Sequence, residues 1–220
     1  MYMARIYIVR HCEAEGNSKR LFQGSTDCDV TKLGEKQLEF LSERFENIHL
    51  DAIYTSPLIR ARKTAEAVRG GRNIEIIALA GLAEINGGVL EGKPFMESFR
   101  NDPALAQVWN EHPQDFAPEG GEPMRDAYER IWNTISAIAS DNTDKTVALA
   151  THGGVIRCLA CRLLYGTIDR LKDTAWCENT AVSLAIIDRN GAALEYMNDY
   201  SHLPGEYLPL HSRFAEVIKE

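Results

Sequence analysis

Ala4-Arg5-Ile6-Tyr7-Ile8-Val9-Arg10-His11-Cys12-Glu13-Ala14-Glu15-Gly16-Asn17 is the stretch on which the fold turns. Residues 4–9 form a short apolar run rich in β-branched and aromatic side chains, the pattern of a buried strand. The run stops abruptly at Arg10-His11, with no Gly, Asn or Asp to soften the exit. In an open α/β sheet, ligands sit just beyond the carboxyl ends of the strands. A cation beside an imidazole at that place suits an anion. On this stretch alone, a carbonyl-capping arginine and a packed histidine are an equal reading.

The rest of the chain breaks the tie. Asp51–Tyr54 runs into Ser56-Pro57-Leu58-Ile59-Arg60, and Ile74–Ala78 is followed by Leu82-Ala83-Glu84. Thr146–Ala150 runs into Thr151-His152-Gly153-Gly154. Four strand-like runs thus end in Arg-His, Arg, Glu and His. Neighbouring parallel strands would bring all of these groups to one sheet edge.

The bulk numbers are those of an ordinary globular chain: 220 residues, 45% hydrophobic and 25% charged, which sets disordered and fibrous classes aside. One domain over 1–220 is expected, with an excursion at about 90–121 that covers the substrate. No apolar run approaches the ~20 residues of a membrane span, and the N-terminus lacks a signal-peptide pattern, so a soluble cytoplasmic protein is expected. A net charge of −8 argues against nucleic acid as a partner. Five cysteines, at 12, 28, 158, 161 and 177, fit reduced thiols better than a disulfide framework. Cys158-Leu-Ala-Cys161 is a lone CxxC in a helical pattern, read as small core residues rather than a zinc site.

Taken in order, Thr31 is a plausible N-cap for a helix with Leu33, Leu38, Leu41 and Phe45 on one face. Ser56-Pro57 reads as the cap and first turn of the next helix, which Gly70-Gly71 ends. The third strand is expected over 74–78, and a short helix over 103–111. A long amphipathic helix carries Ala127, Ile131, Ile135 and Ile138. A strand at 146–150 and a helix at 154–165 follow, then a hairpin of 180–187 and 192–197 joined by Asp188-Arg-Asn-Gly191.

Two imidazoles, two arginines and a carboxylate suit phosphoryl transfer without a metal. A neutral imidazole is a good nucleophile. Arg10, Arg60 and a protonated His152 could hold the three phosphoryl oxygens. Glu84 could protonate the leaving oxygen and later deprotonate a water. A metal hydrolase is the competing chemistry, but no HxH, HExxH or paired-carboxylate spacing occurs.

These motifs resemble the histidine phosphatase superfamily, the phosphoglycerate mutase-like family. Its Arg-His-Gly-Glu-x-x-x-Asn resembles Arg10–Asn17, and its Ser-x-Leu-x-Arg-Ala-x-x-Thr-Ala matches Ser56–Ala65 throughout. Leu82-Ala-Glu84, Leu90-Glu-Gly92 and Thr151-His-Gly-Gly154 correspond to further motifs, with weaker likenesses at Phe22-Gln-Gly24, Pro118–Glu122 and Glu178-Asn-Thr180. The resemblance implies a three-layer α/β/α sandwich around a mostly parallel sheet, acting without cofactor or metal on a small phosphorylated substrate. It implies His11 as the phosphorylated nucleophile, Arg10, Arg60 and His152 as the phosphate pocket, and Glu84 as proton donor. Asn17, Gln23, Gly24 and Gly153 would join the substrate side. A phosphomonoesterase is the leading reading. A mutase using the same pocket is the alternative, although the mutases' adjacent Arg-Arg pair has no counterpart between Glu84 and Glu122. A non-catalytic phospho-ligand module is a third. Oligomeric state is left open. Cys12 replaces the family's usual glycine, so two expectations attach to it: an altered turn, and a thiol made oxidisable by nearby cations.

Overall fold

The computed structural model describes residues 3–188 and 191–208. Strands β1 (Met3–Arg10), β2 (Ala52–Thr55), β3 (Ile76–Ala78), β4 (Thr146–Thr151), β5 (Val182–Asp188) and β6 (Gly191–Asp199) form one sheet in the order β3-β2-β4-β1-β5-β6. The pairs β3–β2, β2–β4 and β4–β1 are parallel, while β5 runs antiparallel to both β1 and β6. The four parallel strands therefore end at the same edge. The antiparallel β5 begins at that edge, with Val182 opposite Val9.

The helices are α1 (Glu15–Ser18), α2 (Lys32–Phe45), α3 (Ile59–Arg69), α4 (Phe95–Asn101), α5 (Pro103–Glu111), α6 (Met124–Asp141) and α7 (Gly153–Tyr165). Side-chain alternation along the central strands explains the layers. Val9, Ala148 and Ala150 face Leu41 and Phe45 of α2 and Ala65 and Val68 of α3. Ile6, Ile8, Val147 and Leu149 face the opposite way, into a cluster with Ile131 and Ile135 of α6 and Ile156 and Leu159 of α7. Each such aliphatic side chain contributes roughly 1.5–3 kcal/mol when fully buried. The result is a helix–sheet–helix sandwich, as the sequence leads one to expect. Among the described residues no helix is long and apolar enough to cross a membrane.

Local signals mostly hold. Thr31 caps α2, its side chain accepting from Gly34 N at 3.0 Å, and Gly70 ends α3 with φ 54°. The α5 boundaries are those expected. Two readings need correction. The third strand is only Ile76–Ala78, because β2 offers it just three paired positions, Ile53 to Thr55. Ser56-Pro57 does not open α3: Leu58 is still extended, and the helix begins at Ile59. Ser56 is committed elsewhere, as shown below. In the hairpin, Asp188 pairs with Gly191; residues 189–190 lie outside the described residues.

Candidate active site

Arg10 and His11 leave β1 beside Thr151 and His152, which leave β4, because Arg10 is paired with Thr151 across the parallel ladder. The rings of His11 and His152 lie 5.1 Å apart, centroid to centroid. Arg60 comes from the first turn of α3, and Glu84 from the turn beyond β3. The structure thus gathers all five groups at the edge where the parallel strands end. A cavity of about 790 Å³ opens there, with Arg10, His11, Asn17, Gln23, Glu84 and Gly154 in its wall. Arg60 and His152 lie behind that wall, with no exposed surface.

The His11 tautomer follows from its contact. Nδ1 lies 2.7 Å from Cys12 O, and a carbonyl can only accept, so Nδ1 carries the proton and Nε2 keeps its lone pair. Burial, then Arg60 and Arg10, hold the His11 pKa well below 6.5, so the ring is neutral near pH 7. His152 is held down by burial first, then by Arg60, His11 and Arg10. The protonated His152 expected from the sequence is therefore neutral in the free protein. Both rings take up protons more readily unfolded than folded, so they cost stability as pH falls below 6.5.

His152 Nε2 lies 2.7 Å from Ser56 Oγ, which also accepts from Leu58 N at 3.3 Å. When the Ser56 hydroxyl donates its hydrogen bond to Nε2, the ring proton sits on Nδ1 and Nδ1–H is left as a donor. His152 Nδ1 has no protein partner, and neither do Arg10 Nε and Arg60 Nε, all of them buried. The guanidinium ends, by contrast, are tied down. Arg60 Nη1 and Nη2 donate to Thr26 O at 2.7 Å and Gly24 O at 2.9 Å, and Arg10 Nη1 donates to Cys177 O.

Loop 24–26 is pinned from its other side by Glu91. The carboxylate accepts from Gly24 N, Ser25 N and Thr26 N at 3.2, 2.9 and 2.9 Å, and from Gly87 N at 2.7 Å. Burial alone would raise the Glu91 pKa, but the Thr26 hydroxyl, which also donates to it, and then the Gly87, Thr26 and Ser25 amides outweigh it and hold the carboxyl below its ordinary range. Gly24 does not face the cavity; it packs so closely that a Cβ would lie 2.1 Å from Ile85 O. Its service to the site is through Arg60. Gly153 likewise lies outside the cavity wall, below Arg10 Nε and the Trp176 ring. Asn17 Oδ1 is occupied by Ala14 N at 3.0 Å, while Gln23 Oε1 is buried without a partner.

Glu84 Oε1 and Oε2 accept from Ile85 N at 2.9 Å and Gly154 N at 3.0 Å. Burial raises its pKa, against those two bonds and the pull of Arg60 and Arg10. The turn carrying it is held by Thr151 and by Arg130, to the second of which the sequence gives little clue. Arg130 on α6 forms a two-pronged pair with Glu122 at 2.6 and 2.7 Å. It also donates to Gly81 O and Ala83 O at 2.8 and 3.1 Å. Thr151 Oγ1 donates to Leu82 O at 2.7 Å.

Cys12 overturns both expectations attached to it. It is absent from the residues of positive φ, so the turn does not need glycine. Its Sγ turns toward Gly34 on α2, and burial pushes the thiol up to about 12, so it is not primed for oxidation. The strained position is elsewhere. Thr180, β-branched and fully buried, sits at φ 57°, where its N–H donates to Arg10 O at 3.1 Å. Beside it, Asn179 Nδ2 donates to His11 O at 2.9 Å. Cys158 and Cys161 are buried on α7, and no His, Cys, Asp or Glu cluster able to hold a metal occurs among the described residues.

Known proteins resemble this chain in sequence and in fold. Phosphoserine phosphatase 1 of Hydrogenobacter thermophilus is 28% identical over 209 residues, covering 95% of this chain and 99% of its own. A Klebsiella pneumoniae protein named probable phosphoglycerate mutase GpmB is 31% identical over 166 residues, covering 74% of this chain and 75% of its own. The solved structure of Bacillus stearothermophilus YhfR superposes with a TM-score of 0.85 at 33% identity, covering 90% of this chain and 98% of that one. The family model for the histidine phosphatase superfamily (branch 1) matches residues 6–200, and the chain belongs to that superfamily.

Proposed function

We propose that this protein is a phosphomonoesterase that hydrolyses a small phosphorylated metabolite through a phosphohistidine. One observation carries the reading: the buried Arg10 and Arg60 Nε–H donors have no protein partners, nor does His152 Nδ1, a donor when the Ser56 hydroxyl bonds to Nε2, and all lie about an imidazole whose Nε2 lone pair is free. Buried donors of this kind are rare without a ligand to meet them. A phosphoryl group, with three oxygens and an electrophilic centre, answers both features.

In the first step His11 Nε2 attacks phosphorus and the P–O bond to the alcohol breaks. Glu84, whose burial favours the protonated form, gives its proton to the departing oxygen. In the second step the Glu84 carboxylate takes a proton from water, whose oxygen attacks phosphorus and breaks the P–N bond. Inorganic phosphate leaves and Glu84 is protonated again. Arg10, Arg60 and His152 hold the equatorial oxygens throughout. Asn17 and Gln23 contact the alcohol half, and α4 and α5 of the 90–121 excursion cover it through Phe95 and Trp109 in the cavity wall.

A panel of phosphorylated metabolites, read by phosphate release, tests the reading. Release equal to substrate consumed supports hydrolysis; an isomerised phosphate ester with no release supports a mutase. Activity is expected to survive EDTA, because Arg10 and Arg60 supply the positive charge that a metal would. Loss on chelation, restored by Mg²⁺ or Zn²⁺, sinks the proposal.

Gly154→Ala gives a finer check. A Cβ there would meet Glu84 Oε1 at 2.6 Å, so the carboxyl must move. Turnover of glycerol phosphate is expected to fall about 10–100-fold, as part of the acid's ~10²–10⁴-fold contribution is lost. Since alanine also favours the helix by about 1 kcal/mol over glycine, melting should shift by only a few degrees. A protein that melts normally and turns over normally would show that the Glu84 position is not critical.

A further inference from the structure

The cavity holds another cation that this chemistry leaves unused. Arg157, on the α7 face below His152, is 8% exposed and lines the same cavity as Arg10 and His11. Its Nε donates to Thr174 O at 3.0 Å and its Nη2 to Leu171 O at 2.9 Å, while its plane lies 4.7 Å over the Trp176 ring. A guanidinium has five N–H donors. These bonds leave both hydrogens of Nη1 and one of Nη2 uncommitted. The ionisable groups that bear on it are the thiols of Cys158 and Cys161; no carboxylate pairs with it among the described residues. Burial lowers it to about 10, so it is still charged at neutral pH.

A buried charge without a counter-ion is costly, and this one faces a ligand space. The wall beside it carries Phe22, Trp109, Phe116, Met124 and Trp176, with Glu111, Lys172 and Asp173 also lining the cavity. At about 790 Å³ the cavity also lies in the upper part of the ~300–1,000 Å³ usual for whole small molecules, far more than a phosphoryl group fills. We propose that Arg157 binds a second anionic group, carboxylate or phosphate-like, on the alcohol half of the substrate. The preferred substrates are then phosphomonoesters with two separated anions. This rests on the phosphomonoesterase reading above.

Three esters with leaving groups of similar basicity test it: 4-(carboxymethyl)phenyl phosphate, 4-(phosphonomethyl)phenyl phosphate and the neutral 4-(carbamoylmethyl)phenyl phosphate. A charge-assisted bond of this kind is worth roughly tenfold or more in affinity. The wild type is expected to favour at least one anionic ester over the amide by about that factor in kcat/KM, through KM. Whichever anion is preferred identifies the group. Arg157→Gln should bring the ratio near one while leaving the amide within about threefold of wild type, and Arg157→Lys should keep part of the preference. A wild-type ratio near one overturns the proposal. So does an Arg157→Gln protein that loses all three esters alike, since the arginine would then only clamp the 168–174 turn. If Arg157→Gln does not fold, Arg157→Lys and Arg157→Met are read the same way. Should the wild type turn over no ester at all, the phosphomonoesterase reading fails separately. The anion-to-amide ratio is then measured by calorimetric binding of the same three compounds.

Discussion

Replacing His11 with alanine is expected to lower turnover of every phosphomonoester by at least about 10⁴-fold, because the covalent route is removed and water must attack directly. The residual pocket should still bind phosphate, since Arg10, Arg60 and His152 keep their donors. The same experiment has a positive side. Wild-type protein quenched in alkali after mixing with labelled substrate should carry one acid-labile, base-stable phosphate, and His11→Ala should carry none. The geometry behind this is the Nδ1 contact with Cys12 O, which leaves Nε2 as the only nucleophilic nitrogen of that ring. Label that persists in His11→Ala would move the nucleophile to His152.

The second large effect belongs to Glu84 and is selective. A proton donor matters most when the departing oxygen is strongly basic. Glu84→Gln should therefore lose about 10²–10⁴-fold on glycerol phosphate and clearly less on p-nitrophenyl phosphate, whose leaving group needs little help. The pH dependence carries the same signature. Glu84 is shifted upward by burial, so the alkyl ester should be hydrolysed until pH rises through that raised pKa, and then more slowly. His11 is shifted downward, so the nucleophile stays neutral well below pH 6.5 and the acid limb lies low. Glu84→Gln should abolish the basic limb for glycerol phosphate. Equal losses on both esters, with the limb retained, would make Glu84 a positioning residue and send the search for the acid to Glu13, Glu15 and Glu91.

The strand-end groups were legible in the sequence because each follows an apolar run, directly for Arg10, His11 and His152 and after a short turn for Arg60 and Glu84, and parallel pairing turns that local order into spatial convergence. The amphipathic helices were legible for the same reason, a local period. Ser56 was not. As Ser-Pro it carries a capping signal, yet its hydroxyl serves His152, 96 positions away in the chain. Arg130 and Arg157 are equally hidden, since an arginine on a helix looks like a solvated charge until its distant carbonyl partners are known. Cys12 misleads in the other direction. Beside Arg10 and His11 in sequence, it points away from them in space, into the packing against α2. Thr180 shows what composition cannot carry, a left-handed β-branched residue held by the backbone it supports.

The reversal of strand direction at β5 separates two kinds of inheritance. Because β5 begins at the ligand edge, the segment that feeds it, 166–181, reaches the cleft from the opposite chain direction to the loops after β1 and β4. That segment supplies Trp176 and Thr174 to the wall, while the sheet strands themselves carry Arg10 and lead into His11 and His152. Lengthening or shortening 166–176 would change which alcohols enter without touching the β1–β4 ladder that aligns the two histidines. On the phosphomonoesterase reading, selectivity and bond-breaking would then be separable, one tuned through a single connection while the other stays fixed by the ladder.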